Sequence, residues 1–240
     1  MTFEIAQDVV GAYPHLRIGV VVATGLVNLG GSSELDRLSE EVVREFRRRY
    51  SVERVLDHGN IVAWRNTYRS FGVNPKKHVP TAEAFCRRIA KGSSVPWISR
   101  VVNAYLLAEL EFFLPVGGYD LDLITGGIRL RYSPGGEDFA PLGAQPGLSF
   151  EKTQPGEIVY SDEGKVLTRS WNRKDSDLSK ITEASTRIGL FVEAAEASIS
   201  TSDVVGTTDR IKEYLGRFCG GGAHALLIEA KQQARCDLAF

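Results

Sequence analysis

Apolar and polar residues follow two successive patterns in the first third of the chain. Residues 15–23 pass from weak alternation into a continuous apolar run, which predicts a central β-strand. Apolar residues then recur at helical spacing from Leu35 to Phe46, after a Ser-x-x-Asp start at residues 33–36. This second segment predicts an amphipathic helix whose arginines face water.

The same pattern predicts two more helices before it changes after Pro115. One helix covers residues 82–91 and stops at Gly92, and the other covers residues 97–113. Short β-rich segments separated by Gly-Pro turns follow, and a helix over residues 209–218 precedes a last segment of uncertain type. The predicted strands are residues 128–132, 158–160, 166–171 and 186–193.

These elements favour an α+β fold, a curved and mostly antiparallel sheet packed with helices, over a loosely interleaved α/β fold. With 240 residues, of which 43% are hydrophobic and 25% charged, the chain is long enough for a sizeable core. No tract in it is long enough to act as a linker between domains. We therefore expect one compact domain over residues 1–240.

The composition also limits where the protein can be located and which metals or cofactors it can bind. The apolar run at residues 18–23 is too short to span a bilayer and has no basic leader before it. The three cysteines form no CxxC pair and have no histidine at metal-ligand spacing. We expect a cytoplasmic protein that has no membrane partner, no metal and no cofactor.

Charge is distributed unevenly along the chain, although the net charge is only −1. Residues 44–100 contain thirteen Lys and Arg against four Asp and Glu, a net charge of +9, so the remainder carries −10. A basic field of this size favours phosphate binding through counterion release. A block such as residues 44–50 is also typical of the solvated face of a helix.

Searches for familiar catalytic motifs find none in this chain. There is no P-loop, no GxGxxG after a strand, no HExxH and no GxSxG. The four histidines stand singly, and a lone histidine is more often a surface or core residue than a ligand or base. The residues alone therefore suggest only a polar pocket between the helical and sheet parts.

A series of turn and strand motifs with consistent order and spacing resembles one family. The motifs are PVGGYD at 115–120, IRLR at 128–131, GEDF at 136–139, PLG at 141–143, PGEIVYSD at 155–162, WN at 171–172 and Asp175. Together they resemble the free-standing form of the B3/B4 domain of the phenylalanyl-tRNA synthetase β subunit. The similarity runs from about residue 64 to residue 196.

The resemblance implies a B3/B4-like fold and tRNA as partner. In synthetases this domain hydrolyses the ester of tRNA that carries tyrosine in place of phenylalanine. A free-standing copy is expected to act in trans on mischarged tRNA, with no cofactor. An aminoacyl ester is already activated, so a positioned water and donors to the developing oxyanion suffice, and a catalytic triad is not required.

Departures from the synthetase pattern alter the expected pocket. Asn103 and Leu106 stand where the synthetase helix carries Asp and Asn, and Gly117 replaces a pocket histidine of bacterial synthetases. Selection of a tyrosine hydroxyl by hydrogen bonding is therefore not expected. The substrate-pocket residues that the resemblance implies are Leu106, Gly117, Gly118, Tyr119, Asp120 and Trp171.

Four polar residues are the catalytic candidates, namely Asn103, Asn172, Asp175 and Glu193. In this hypothesis the carboxylates orient water and the amides hold the α-amino or carbonyl groups. The alternative for Asn103 and Asn172 is that each caps or bridges backbone.

The candidate tRNA-binding residues are Arg65, Arg69, Lys76 and Lys77, which would meet the acceptor-stem phosphates. For the aromatic residues beside them, Trp64, Tyr68 and Phe71, core packing is the favoured role.

Two main functions remain open, a trans-acting aminoacyl-tRNA deacylase and a non-catalytic module that binds tRNA or an amino acid. A small-molecule hydrolase unrelated to tRNA is the least favoured, and the sequence leaves the oligomeric state open.

Overall fold

Helices and sheets both contribute to the structure, a computed structural model that describes residues 1–143 and 150–238. The helices of this part are α1 (Gln7–Ala12), α2 (Ser33–Arg49), α3 (Val52–Leu56), α4 (Gly59–Ser70), α5 (Thr81–Ala90), α6 (Arg100–Phe112) and α7 (Thr201–Phe218), with a 3₁₀ turn at Leu121–Leu123. The strands are β1 (Thr2–Ile5), β2 (Arg17–Thr24), β3 (Val116–Asp120), β4 (Ile128–Tyr132), β5 (Asp138–Phe139), β6 (Glu151–Lys152), β7 (Ile158–Ser161), β8 (Val166–Arg169), β9 (Lys174–Asp175), β10 (Ile188–Ala194), β11 (Gly222–Glu229) and β12 (Arg235–Asp237).

Most of the predicted elements are confirmed. The predicted central strand is β2, the three predicted helices before Pro115 are α2, α5 and α6, and the four predicted strands are β4, β7, β8 and β10. The last helix, α7, begins at Thr201 and not at residue 209. Helices α1, α3 and α4 and strands β1, β3, β5, β6, β9, β11 and β12 were not predicted. The α+β class is confirmed.

Two main sheets form the β part of the described residues. The larger has the strand order β12-β1-β4-β7-β8-β9, and the smaller has the order β11-β2-β10-β3. Every neighbouring pair is antiparallel except β1 and β4, which run parallel. The expectation of mostly antiparallel strands is confirmed, although the described residues form these two sheets and a small antiparallel pair, β5-β6, and not a single sheet.

Strand β2 is apolar on both faces because it is covered on both. A Cβ on Gly19 would lie 2.5 Å from Thr208 Cγ2 and 2.9 Å from Val204 Cγ1, so α7 packs directly against this face. Rings from the two sheets fill the space on the other face, where Phe191 lies 5.1 Å from Phe3 and 5.6 Å from Tyr160. Side chains of a strand alternate between faces, so a residue two positions after Phe191 also faces this space between the sheets.

Helix α6 carries buried polar groups into the core. The Ser99 side chain caps its first turn by accepting from the Val102 N–H at 3.3 Å, and Phe113 ends it in the left-handed region with a φ of 56°. The chain then enters β3 at Val116. Eight of the thirteen residues of α6 are buried, including Asn103 and Glu109.

None of the helices in the described ranges is long and apolar enough to cross a membrane.

Candidate functional site

The Glu193 carboxylate lies at the centre of a buried polar cluster between the two sheets. Its side chain is only 1% exposed. One oxygen, Oε1, accepts from Trp171 Nε1 at 2.9 Å and from the Tyr160 hydroxyl, and Oε2 accepts from Asn172 Nδ2 at 2.7 Å. Three donors from the larger sheet and the loop after β8 therefore hold this carboxylate in one orientation.

Asn172 joins the cluster to the helices. Its Oδ1 accepts from the Tyr68 hydroxyl at 2.8 Å, and its backbone carbonyl accepts from Thr81 Oγ1 at 2.7 Å. Ser170 and Trp171 before it both have positive φ, at 49° and 66°, which non-glycine residues rarely adopt. This turn aims Trp171 and Asn172 at Glu193. The Asn172 side chain thus contacts other side chains and does not bridge backbone.

Asp175 reaches the same region from β9. Its Oδ1 accepts from Thr168 Oγ1 at 3.0 Å, and Thr168 Oγ1 is 2.7 Å from the Tyr119 hydroxyl. Desolvation by burial raises the pKa of Asp175 to about 6. Three of the four catalytic candidates, Asn172, Asp175 and Glu193, are therefore brought together by the fold.

Burial also sets the protonation of Glu193. Desolvation raises its pKa to about 7, against the hydrogen bonds that lower it, and the negative charge of Asp175 adds to the rise. Near neutral pH this carboxyl is divided between its protonated and ionised forms. Such a group is suited to general acid or base chemistry.

Glu109 is a polar residue of this region that the sequence interpretation missed. It is 1% exposed on α6, and its Oε1 has no hydrogen-bond partner. Burial raises its pKa to about 8; the backbone N–H of Val116 opposes this rise and the charge of Asp175 adds to it. The sequence pattern could have indicated that Glu109 is buried, because it lies one helical turn after Tyr105 and Leu106 inside an apolar helix.

Asn103 has different contacts from the other candidates. Its Oδ1 accepts from the Ile98 N–H at 2.9 Å, and its Nδ2 donates to the Pro96 carbonyl at 3.1 Å. It therefore bridges backbone at the start of α6. Nine residues separate it from Phe112 at the end of the helix, a rise of about 14 Å. A catalytic role for Asn103 stays a prediction, with no contact that supports it.

The two pocket glycines have different surroundings. A Cβ added to Gly117 meets no atom within 4 Å, whereas one added to Gly118 would lie 2.4 Å from Leu190 Cδ2. Gly117 pairs with Phe191 in the register of β3 and β10, so it shares the face from which Glu193 projects. The open space beside Gly117 is thus on the side of the cluster, and Gly118 faces the opposite side.

The other pocket candidates have separate roles. Tyr119 and Trp171 are buried and hydrogen-bonded within the cluster, and Leu106 is half-buried on α6. Asp120 instead accepts from the Asp122 N–H at 3.0 Å and from the Ser185 hydroxyl at 2.6 Å, so it fixes the turn after β3. A substrate contact by Leu106 or Asp120 stays a prediction.

The predicted tRNA-binding residues divide into paired and exposed groups. Arg65 donates to both oxygens of the buried Glu83, at 2.7 and 2.8 Å. Arg69 is exposed and donates to Asn66 Oδ1 at 2.7 Å, and Lys76 and Lys77 are exposed in the loop after α4. Arg65 is therefore used within the fold, and the other three are accessible to phosphate.

The aromatic residues near these cations pack in the core, as predicted. Trp64 and Tyr68 are fully buried, and Trp64 lies 5.6 Å from Trp171 in an edge-to-face arrangement. Phe71 lies 5.9 Å from the same Trp171 ring. Trp64 and Tyr68 are therefore not available for stacking on a base, whereas Phe71 is half-buried against the core.

No metal site accompanies the cluster in the described part of the chain, where no group of three or more His, Cys, Asp or Glu side chains is placed to hold an ion. A separate groove of about 470 Å³ lies between α2 and the end of α6. Four of its five charged lining residues are paired, Arg49 with Glu45 and Arg210 with Glu111. None of the predicted site residues lines this groove.

Comparisons with known proteins place the chain beside one family. The model of the B3/4 domain family matches residues 63–214, which is more than half of the chain. No curated protein matches. Matching solved structures include an N-terminal fragment of the phenylalanyl-tRNA synthetase β subunit from Pyrococcus horikoshii, at 13% identity and a TM-score of 0.45. The match covers 92% of this chain and 49% of that fragment, so the chain spans about half of its length.

Proposed function

Because the chain belongs to the B3/4 domain family, we propose that it binds the aminoacyl end of tRNA and hydrolyses the ester of a mischarged aminoacyl-tRNA in trans. Membership of this family makes it a domain related to tRNA synthetases. The hydrolytic activity, the tRNA partner and a cytoplasmic location are the proposal.

The observation that carries the proposal is the buried Glu193 carboxyl, which three side chains orient and whose pKa is raised to about 7. In the proposed reaction a water oxygen attacks the ester carbonyl carbon while Glu193 takes the proton of that water. The bond from carbonyl carbon to ribose oxygen then breaks, and the ribose oxygen receives the proton. Asn172 holds the carboxylate in place throughout.

Contact with tRNA is proposed on the surface that carries Arg69, Lys76 and Lys77. All three side chains are exposed and form no ion pair with an acidic residue of the described chain. Basic residues of this kind bind phosphates through counterion release and do not specify sequence. Arg65 is omitted from this surface because both oxygens of Glu83 already occupy its guanidinium.

One observation favours the alternative, a binding module without turnover. Both oxygens of Glu193 already accept hydrogen bonds, and the side chain is 1% exposed. If these bonds persist when ligand is bound, Glu193 supports the pocket wall and does not activate water.

The test is a deacylation assay on tRNAs that carry labelled correct or incorrect amino acids, with ester loss measured against the spontaneous rate. We expect cleavage of one mischarged species by the wild type and by Glu183→Gln, whose carboxylate is exposed. Glu193→Gln should slow it by about 10²-fold or more. Salt-sensitive tRNA binding without cleavage would support the binding module. A protein that neither cleaves nor binds aminoacyl-tRNA would contradict both candidate functions.

A further inference from the structure

Three buried or half-buried carboxyl groups in the site region have no cation beside them. Among the ion pairs of the described residues, none involves Glu109, Asp175 or Glu193. Glu193 compensates with three hydrogen-bond donors and Asp175 with one. Glu109 Oε1 has none. Buried carboxylates are normally paired and fully hydrogen-bonded, so this unfilled acceptor needs an explanation.

The groups that face Glu109 come from four elements, its own helix α6 included. Asp175 on β9 and Tyr105 on α6 interact with it electrostatically, and its charge raises the pKa of Cys86 on α5 further than burial alone does. The Val116 N–H at the start of β3 faces the carboxyl as well. None of these groups supplies a positive charge.

Not every group around Glu109 is buried. Tyr105 and Asp175 are half-buried and keep part of their surface exposed. Gly117, one residue after Val116, borders open space where a Cβ would meet nothing within 4 Å. A ligand of Glu109 would have to approach the carboxyl past these residues.

We propose that Glu109 and Asp175 form a subsite for a primary ammonium group, the α-ammonium of an aminoacyl ester or of a free amino acid. An ammonium ion has three N–H donors and one positive charge, which match an unfilled carboxylate oxygen and a second carboxylate beside it. A divalent metal is a poorer match, because the described residues offer no group of three ligands. The esterified form of the ligand rests on the proposed function, whereas the ammonium subsite does not.

Binding at this subsite should release a proton. Burial raises the pKa of Glu109 to about 8, so it is mostly protonated at neutral pH in the free protein. An ammonium group beside it favours the ionised form and displaces that proton to solvent. A purely apolar contact with the ligand would displace none.

The experiment is isothermal titration calorimetry on the full chain with methyl esters of phenylalanine, tyrosine, leucine and valine. Each ester is paired with its N-acetyl derivative, which lacks the charge, and with the free amino acid, which keeps it. Titration at pH 6, where the ester amino group and the Glu109 carboxyl both hold their protons before binding, in two buffers of different ionisation enthalpy gives the number of protons released. We expect at least one ester to bind with release of up to about one proton, and its N-acetyl derivative to bind at least tenfold more weakly.

Matched variants separate the subsite from general effects on the helix. Glu109→Gln should weaken that ester by about tenfold to a hundredfold and abolish proton release. Glu111→Gln is the control on the same helix, since Glu111 accepts from the Tyr214 hydroxyl and pairs with Arg210 on another face. This control should leave both readouts unchanged. If Glu109→Gln does not fold, the N-acetyl comparison and the proton release of the wild type still test the subsite.

Several results would overturn the subsite. They are equal affinity for an ester and its N-acetyl derivative, unchanged binding and proton release by Glu109→Gln, and no binding of any ester or amino acid at millimolar concentration. Binding of free amino acids with the same proton release would identify the amino acid itself as the ligand source. Ester binding that depends on Glu109, in a protein that cleaves no aminoacyl-tRNA, would keep the subsite and reject the proposed hydrolysis.

Discussion

Two buried glutamates on neighbouring helices, Glu83 of α5 and Glu109 of α6, have opposite electrostatic surroundings. Both side chains are almost fully buried, at 0% and 1% exposure. Glu83 accepts from Arg65 at 2.7 and 2.8 Å and from Arg87 at 3.1 Å. Glu109 has no basic partner and one unfilled oxygen, and burial raises its pKa to about 8. The same residue type at the same depth is neutralised in one place and left unpaired in the other.

The contrast separates a structural carboxylate from a candidate functional one. A buried charge with good partners holds elements together, because removal of one partner leaves the other uncompensated. A buried carboxyl without partners lowers stability, and proteins retain such groups mostly where they serve binding or catalysis. On this basis Glu83 connects α4 to α5 through its pair with Arg65, and the unpaired carboxyl of Glu109 supports the proposed ammonium subsite.

The largest expected effect comes from removal of a partner of Glu83. Arg65→Met should lower the free energy of unfolding by about 3 kcal/mol, because Glu83 stays buried with Arg87 as its single cation. Urea denaturation followed by circular dichroism measures this. Arg69→Met, one helical turn later and exposed, is the control and should change stability by less than about 0.5 kcal/mol. Equal effects of the two variants would remove the distinction between the paired and the exposed arginines.

A second prediction concerns how stability depends on pH. The folded-state pKa of Glu109, about 8, lies above its unfolded value of about 4.3, so the folded state holds this proton more tightly. Stability from this group is therefore greatest at low pH, falls as pH rises between these two values, and levels off above the folded pKa. The maximum slope is about 1.4 kcal/mol per pH unit, or roughly 2 kcal/mol from pH 5 to pH 7 after allowance for partial hydration.

The measurement is a series of urea denaturation curves across this pH range for the wild type and Glu109→Gln. The variant should lose less stability than the wild type as pH rises, because a glutamine does not ionise. Burial raises the pKa of Asp175 and of Glu193 in the same direction, so both proteins keep a residual slope. Superimposable pH profiles would show that Glu109 is not desolvated as the structure indicates.

A third prediction tests the open space beside the unpaired carboxyls. Gly118→Ala should cost about 1 kcal/mol, because its Cβ would approach Leu190 Cδ2 to 2.4 Å and Ile181 Cδ1 to 2.9 Å. Gly117→Ala should leave stability unchanged or raise it by a few tenths of a kcal/mol, since its Cβ meets no atom and a less flexible unfolded chain favours folding. Thermal unfolding of the two variants checks this, and a larger loss for Gly117→Ala would mean that the space is filled.

The difference between the two glutamates also shows how much of the structure could be predicted from the sequence. Local patterns were sufficient for α2, α5, α6 and β2, whose apolar residues repeat regularly. Helix α4 was missed because large aromatic and small polar residues share its buried face. Strand β11 was missed because the glycine and two alanines in its first half, at 222, 223 and 225, give little strand preference. Long-range packing decides both of these elements.

The site was predicted in part for a similar reason. The resemblance to a family gave Asn172, Asp175 and Glu193. The first two lie three positions apart, and the fold brings Glu193 of β10 to them. Local spacing gives part of the contrast, because Glu83 has Arg87 one helical turn later and Glu109 has no basic residue at that spacing. The pair between Glu83 and Arg65, eighteen positions earlier on another helix, depends on tertiary contacts.

The smallest expected effect concerns the exposed cations. Because Arg65 is occupied by Glu83, it should not contribute to phosphate binding, whereas the exposed Arg69, Lys76 and Lys77 should. Each Lys→Ala change should reduce the slope of log affinity for tRNA against log salt by about 1, with less than about 1 kcal/mol lost at physiological salt. Fluorescence titration of labelled tRNA over a range of salt concentrations measures the slope. Arg65→Met, measured at a temperature where it stays folded, should leave the slope unchanged, and a reduced slope for it would mean that the Glu83 pair opens to bind phosphate.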